Sequence, residues 1–438
     1  MEREVLKQLV AWKKRPDRKP LILLGARQVG KTHILREFGR SHYKYMAYVN
    51  CDNNLLVRDL FAPDYDMKRI LLSVGAITGV PIEPGNTLIV FDEIQEVKRG
   101  LSSLKYFCEE AREYHVAVAG SLLGIALHQG ESFPVGKVNT LRLLPMNFEE
   151  FLLAKGERLL LEILHAGDWT TIQGLRNRYI QLLREYYFVG GMPEAVQRYI
   201  DTNDAVHVRE IQNEILFAYN NDISKHASAD EVVRIGQVWR SIPSQLAKEN
   251  KKFIYGVVRK GGRAKNFEIA IQWLVDAGLV YRIPRISAPL MPLATYEDVM
   301  TFKLYALDCG LLGAMSNTPP ALLLLPNDMR ESKGAFTENF ICSHLQALDG
   351  TTLGYYSKDN SMQEIDFLLQ QGEHILPIEV KAEENLNSKS LKAFVAEHPD
   401  WHGLRFSMSD YRQQDTLTNV PLYAILTYMR ARQQEPNA

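Results

Sequence analysis

Two stretches in the first hundred residues carry side chains suited to phosphate chemistry. The apolar run Leu21–Leu24 leads into Gly25, Ala26, Arg27, Gln28, Val29, Gly30, Lys31 and Thr32, and a segment able to be helical follows. Glycines let backbone N–H groups approach a polyphosphate, and a helix N-terminus adds partial positive charge. Lys31 would reach the β- and γ-phosphates, and the Thr32 hydroxyl would bind Mg²⁺. Further on, the apolar residues 87–91 end in Asp92 and Glu93. Two carboxylates at the end of a buried strand are costly unless they hold or polarise something. Asp92 would hold the magnesium shell, and Glu93 would polarise the attacking water. Together these are the P-loop and Walker B patterns, and their chemistry is ATP binding and hydrolysis with Mg²⁺.

A second group of chemical residues lies near the C-terminus. Residues 334–348 read as a helix on which Glu338 shares a side with Ile341, Cys342 and Leu345, so its carboxylate points inward. Residues 363–369 and 375–381 read as a hairpin turning at Gln371 and Gly372. Alternation sets Asp366 on one face of its strand, and Glu379 and Lys381 together on one face of theirs. Carboxylates gathered on a half-buried face repel one another and lose hydration. A divalent metal relieves both penalties. A ladder of cross-strand salt bridges is an alternative. A third reading keeps the fold and uses the acidic face to bind DNA or a partner without cleavage.

The elements that must position these groups can be read along the chain. Residues 1–12 form an amphipathic helix through Val5, Leu6, Leu9 and Trp12. Strands are expected at 45–49, 116–119 and 137–144, with a helix at 66–74. An additional strand and helix between the two phosphate motifs match the additional-strand, catalytic-glutamate division of P-loop ATPases. Ser121, just past the strand at 116–119, either contacts the γ-phosphate or satisfies a turn. From residue 145 to about 229 the chain is helical, broken by Gly190, Gly191, Met192 and Pro193. Residues 242–250 and 264–277 read as helices and 279–283 as a strand, a winged-helix pattern. Lys248, Lys251, Lys252, Arg259, Lys260, Arg263 and Lys265 cluster there. Such charges suit DNA by displacing counterions, although winged helices also serve as protein–protein spacers. Residues 284–292 read as a proline-rich linker.

These motifs, with Phe91-Asp92-Glu93-Ile94-Gln95, Pro145-Met146-Asn147-Phe148-Glu149-Glu150-Phe151 and Asn221-Asp222-Ile223-Ser224-Lys225, resemble those of bacterial and archaeal AAA-like ATPases with a distinct C-terminal domain. The Asp366, Glu379 and Lys381 spacing resembles the PD-(D/E)XK nuclease fold. By resemblance, Pro193 contacts the adenine. In the same way Asp366 and Glu379 bind Mg²⁺, Glu338 completes the shell, and Lys381 positions water and steadies the scissile phosphate. The family usually has Gly-Arg where this chain has Gly136-Lys137, leaving Arg142 as a substitute arginine finger.

The implied fold class is α/β: a P-loop parallel sheet (1–150), a helical lid (151–230), a winged helix (231–290) and a mixed α/β nuclease-like domain (300–438). The implied activity is ATP hydrolysis coupled to metal-dependent nuclease action on DNA, or else a nucleotide-driven switch with a silent nuclease fold. DNA is the expected partner, and a homo-oligomer is compatible with an arginine supplied in trans. The net charge of −1 gives no global basic field, so any nucleic-acid face must be local. The four cysteines form no CxxC pair, which fits a reducing compartment. With no apolar run able to span a bilayer, the expectation is a cytoplasmic chain that does not enter membranes.

Overall fold

A computed structural model describes residues 1–120, 123–126, 134–248, 250–325, 330–358, 363–384 and 386–434. The chain forms two compact units, residues 1–144 with 276–278, and residues 145–275 with 279–438.

In the first unit the strands are β1 (Leu21–Leu24), β2 (Tyr45–Asn50), β3 (Thr87–Asp92), β4 (His115–Ala119) and β5 (Asn139–Arg142). They form a parallel sheet in the order β2-β3-β4-β1-β5. β4 therefore stands between the two strands that carry the phosphate motifs. Every residue of β3 and β4 is buried, as expected where helices cover both faces of a parallel sheet. This is a P-loop α/β fold. The N-terminal helix Val5–Lys14 buries Val5, Leu9 and Trp12. Just before it, the Arg3 guanidinium donates to the Val29 carbonyl at 3.0 Å and the Leu144 carbonyl at 2.6 Å, so it braces the phosphate loop from behind.

The second unit opens with the helix Phe148–Ala154, started by a capping box in which Asn147 and Glu150 each accept from the other's backbone N–H. Its Phe148 and Phe151 rings pack with Tyr186 and Phe340 at centroid distances of 5.4–6.4 Å. Burying each ring is worth roughly 2–3 kcal/mol. This ties the first helices of the unit to the much later helix Arg330–Leu345.

The remaining strands are β6 (Val280–Ile286), β7 (Glu297–Ala306), β8 (Thr351–Ser357), β9 (Glu364–Gln371), β10 (His374–Val380), β11 (Gly403–Ser407), β12 (Arg412–Gln413) and β13 (Leu417–Pro421). Among the described residues they form one mixed sheet in the order β12-β13-β11-β10-β9-β8-β6-β7. This corrects two expectations. The strand read as a wing does not end at residue 283 but runs to Ile286 and pairs in parallel with β8. Residues 284–286 are therefore strand rather than linker. Pro284 is accommodated because the β6–β7 register shifts between Pro284 and Arg285, and such irregularities tolerate a missing N–H. The β6–β7 hairpin and the C-terminal strands thus share one sheet.

Candidate functional site

The phosphate loop is built by backbone geometry that few residues allow. Gly25 has φ +150°, and a Cβ there would stand 2.3 Å from the Leu143 carbonyl oxygen. Gln28 and Gly30 also have positive φ, +67° and +97°. Gly30 starts the helix Lys31–His42. Val29 is buried beneath the loop, while Arg27 and Gln28 are exposed on it. Lys31, 7% exposed, donates to the carbonyls of Gly25 at 2.8 Å and Ala26 at 2.7 Å. Its ammonium is thereby held at the mouth of the loop.

Thr32 Oγ1 donates to Asp92 Oδ2 at 2.6 Å, and the Tyr48 hydroxyl donates to the same oxygen at 2.7 Å. Pairing between β2 and β3 brings Asn50 beside Asp92 and so delivers Tyr48 to this place. Glu93 turns out of β3 with φ +54°, and its Oε2 accepts from Gln95 Nε2 at 2.5 Å. These residues fit an ATP–Mg²⁺ pair. A hydroxyl and one carboxylate meet at the helix start, and magnesium in such sites takes its other ligands from waters and phosphates. Tyr48 and Gln95 are additions that sequence reasoning missed. Gln95 was legible only as part of a motif, and Tyr48 only once the register was known.

Arg142, the substitute arginine finger, is exposed at the end of β5 in register with Leu24. Ser121 lies outside the described residues.

The acidic residues of the second unit come together in a different way from the one expected. Glu338 is buried on its helix, as the pattern indicated. Its Oε1 accepts from Lys251 Nζ at 2.5 Å and its Oε2 from the Tyr305 hydroxyl at 3.0 Å. Lys251 arrives because the chain after the helix Ala229–Leu246 runs along the edge of β7, with Lys252 bridged to Lys303 and the Phe253 N–H donating to the Phe302 carbonyl. Lys303, 1% exposed, pairs with Glu364 at 2.6 Å. Asp366 Oδ2 accepts from the Val380 N–H at 2.8 Å. Glu379 Oε1 pairs with Lys381 Nζ at 2.6 Å, as residues two apart on one strand face should. On the other side, β11 places the buried Arg405 in register with Glu379.

The electrostatics follow from these partners. Burial pushes Glu338 up, but the ammonium groups of Lys251 and Lys303 outweigh it and hold its carboxyl below the usual range. Burial, then the charge of Glu338, raises Asp366 well above the usual carboxylate range. Burial lowers Lys303, yet Glu338, Glu364 and Asp366 more than compensate and hold it above its ordinary value.

The expected metal shell of Glu338, Asp366 and Glu379 is therefore not formed in this arrangement. Among the described residues no group of three or more His, Cys, Asp or Glu side chains is placed to hold a metal ion. Lysines supply the neutralising charge instead, and no step is routed through a metal here. Lys303 and Tyr305 were hidden because both read as ordinary members of an apolar strand. Lys251 was visible only as one of a basic cluster. Lys251→Ala should lower the stability of the second unit by about 3 kcal/mol, because it strips a buried carboxylate of a partner. Added Mn²⁺ should then raise the variant's melting temperature more than the wild type's. Equal shifts would show that Lys251 does not stand in for a cation.

The glycine break lies elsewhere in the second unit. It is a corner between the helices Arg176–Val189 and Pro193–Thr202, with Pro193 at the first helical position. The Gly191 N–H donates to Asp308 Oδ2 at 2.6 Å, and its carbonyl accepts from the Met146 N–H at 2.7 Å. Pro193 thus belongs to a joint within the second unit, and its expected adenine contact is carried by resemblance alone.

Comparison with known proteins agrees with the first unit. Residues 17–152 match an AAA domain family, residues 180–322 a domain of unknown function (DUF8612), and residues 333–425 a domain of unknown function (DUF4143). No curated protein matches the chain. The solved structure of the Aeropyrum pernix ORC1 protein in complex with DNA is similar at 14% identity, over 73% of this chain and 92% of that one, with a TM-score of 0.28. That score is too low to carry weight for either fold or function. No described helix is long and apolar enough to cross a membrane. The loop geometry and the family match converge on residues 17–152 as an AAA-type, ATP-binding P-loop domain of an ATPase.

Proposed function

We propose that this chain is an ATP-hydrolysing switch whose nucleotide state controls how its second unit engages DNA. The observation that carries the reading is the 2.6 Å contact of Thr32 with Asp92, beside a loop that holds the Lys31 ammonium at its mouth. The loop N–H groups bind the polyphosphate, and Lys31 supplies positive charge to it. Glu93 takes the proton of the attacking water, and Gln95 aims its carboxylate. Thr32 and Asp92 would hold a Mg²⁺ ion, which would supply positive charge to the phosphate oxygens. In the second unit the exposed cations Arg259, Lys260, Arg263 and Lys265 support DNA as the partner. The lysine-filled acidic face supports a nuclease-like fold that is silent in this form.

The test is DNA affinity, read by fluorescence anisotropy with a non-hydrolysable ATP analogue and with ADP. Coupling predicts a difference of roughly 5- to 100-fold between the two states. Equal affinities would remove the switch and leave an ATPase alone. One observation favours cleavage as a second reading: Glu379 Oε2 is buried and, among the described residues, has no hydrogen-bond partner, while Glu379 Oε1 pairs with Lys381. Cutting of plasmid DNA in Mg²⁺ or Mn²⁺ that is lost in Asp366→Ala would establish that reading.

A further inference from the structure

A cleft of about 280 Å³ opens in the second unit, and none of the residues of the acidic face lines it. Arg234 and Gln237 line it from the helix Ala229–Leu246, Arg259 and Lys260 from the turn that follows the short helix Tyr255–Val258, and Asn266 from the first turn of the helix Ala264–Asp276. Three of the lining side chains are cations and none is a carboxylate. The acid nearest in sequence, Glu231, is occupied in capping its own helix at Ser228. Among the described residues, the side chains of Arg234, Arg259 and Lys260 enter no hydrogen bond or ion pair, and the one acid that feels any of them is Glu231, whose carboxyl the charge of Arg234 helps to lower. All three are exposed.

Like charges brought to one concavity repel, and each like-charged neighbour lowers the stability of the empty form. Lysine and arginine on a protein surface ordinarily find carboxylates, and this chain has 52 acidic residues against 51 basic ones from which to draw them. Three cations lining one cleft that holds no carboxylate, two of them with no acid nearby, mark a place where a multiply charged anion supplies the missing charge. Guanidinium groups bind phosphate oxygens in a bidentate fork, and the Asn266 amide and Gln237 can add neutral donors. The cleft is wide enough for a phosphate group and too small for a folded partner.

We propose that this cleft is a phosphate-binding site that grips the sugar–phosphate backbone of nucleic acid. The inference rests on the reading that the second unit engages DNA, and it names the residues that make the grip. Phosphate contacts position a protein on a duplex without reading sequence, so binding here fixes register rather than specificity.

The test compares three full-length proteins: the wild type, the Arg259→Ala/Lys260→Ala double variant, and a Lys389→Ala/Lys392→Ala control that removes two exposed lysines from another helix. Each is titrated with labelled 30-base-pair DNA across 50–200 mM KCl. Melting temperatures confirm that all three fold. The cleft variant should bind at least tenfold more weakly than the wild type, and its slope of log affinity against log salt should fall by about 2. The control should keep the wild-type slope. Wild-type binding matched by the cleft variant in both affinity and slope would overturn the proposal while leaving DNA engagement intact. A wild type that binds no DNA would overturn both. In that case calorimetry with inorganic pyrophosphate separates the sources, since pyrophosphate binding lost in the cleft variant would assign the site to a free phosphate compound instead.

Discussion

Glu93→Gln should bind ATP as the wild type does and release phosphate roughly 10²- to 10³-fold more slowly. Lys31→Ala should lose both binding and turnover. The difference follows from where the two side chains stand. Lys31 is 7% exposed and lies inside the loop on the Gly25 and Ala26 carbonyls. Removing it deletes the loop's own cation and leaves two carbonyls without their donor. Glu93 lies outside the loop, turned out of β3 by its positive φ and aimed by Gln95. Glutamine keeps the shape and the partner but cannot accept a proton, and loss of a positioned general base costs about 10²–10⁴ in rate. Equilibrium binding of a fluorescent ATP analogue together with steady-state phosphate release reads both effects. If Glu93→Gln turns over ATP at the wild-type rate, Glu93 is not the base, and Gln95 holds it for a structural reason only.

The phosphate loop was legible because its residues are adjacent in sequence and each type answers a local demand. A glycine stands where a Cβ would strike Leu143, and a lysine and threonine open a helix. The parallel sheet was legible for a related reason, since strands buried on both faces read as unbroken apolar runs. The acidic face was half legible. Alternation along β9 and β10 set Asp366, Glu379 and Lys381 correctly, because a period of two is a local property. Their counter-charges come from far away in sequence. Lys251 is 87 residues from Glu338, and Lys303 and Tyr305 sit in a strand whose neighbours are apolar. Nothing local marks a buried lysine as paired until the chain has folded. For the same reason β11 was missed: Gly-Leu-Arg-Phe-Ser looks half-exposed, yet all five residues are buried, because Arg405 is satisfied by Asn419, Leu386 and Ser388.

The motif around residue 145 gives a similar lesson. Pro145–Phe151 reads as the end of the nucleotide domain, and residues 17–152 do match the AAA family. The compact unit nevertheless breaks at Leu144, and the motif's side chains serve the second unit. The Phe148 N–H donates to His344 Nε2 at 2.9 Å, and His344 Nδ1 in turn donates to the Phe340 carbonyl. Glu149 is buried against Thr427, Arg430 and His165. A segment that follows the last strand of the ATPase sheet is thus the first locking piece of the next unit. A change in this segment would be felt first in the packing of the second unit.

Asp308→Ala should destabilise the second unit by roughly 4 kcal/mol, more than any other single change to its joints. Asp308 is 2% exposed, and its two oxygens accept from the Gly191 N–H at 2.6 Å and the Leu311 N–H at 2.9 Å. Alanine leaves two buried donors without acceptors, at about 1–3 kcal/mol each. The glycines opposite offer no relief, because a Cβ on Gly191 would stand 2.0 Å from the Met146 carbonyl oxygen and one on Gly190 2.2 Å from Asp308 itself. The pH dependence gives the sharper test. Burial raises Asp308 to about 6, with its N–H donors pulling the other way, against about 3.9 in an unfolded chain. A folded-state value above the unfolded one means that the protonated carboxyl is the better fit to the fold. Its stabilisation is complete below about pH 4 and is lost as pH rises through 6, a change on the order of 3 kcal/mol. Asp308→Asn cannot ionise, keeps one acceptor and loses the other. In urea melts its deficit against the wild type should therefore be largest near pH 4 and shrink by that amount toward pH 8. A deficit that grows with pH would mean that the two N–H donors outweigh burial and that the fold prefers the carboxylate.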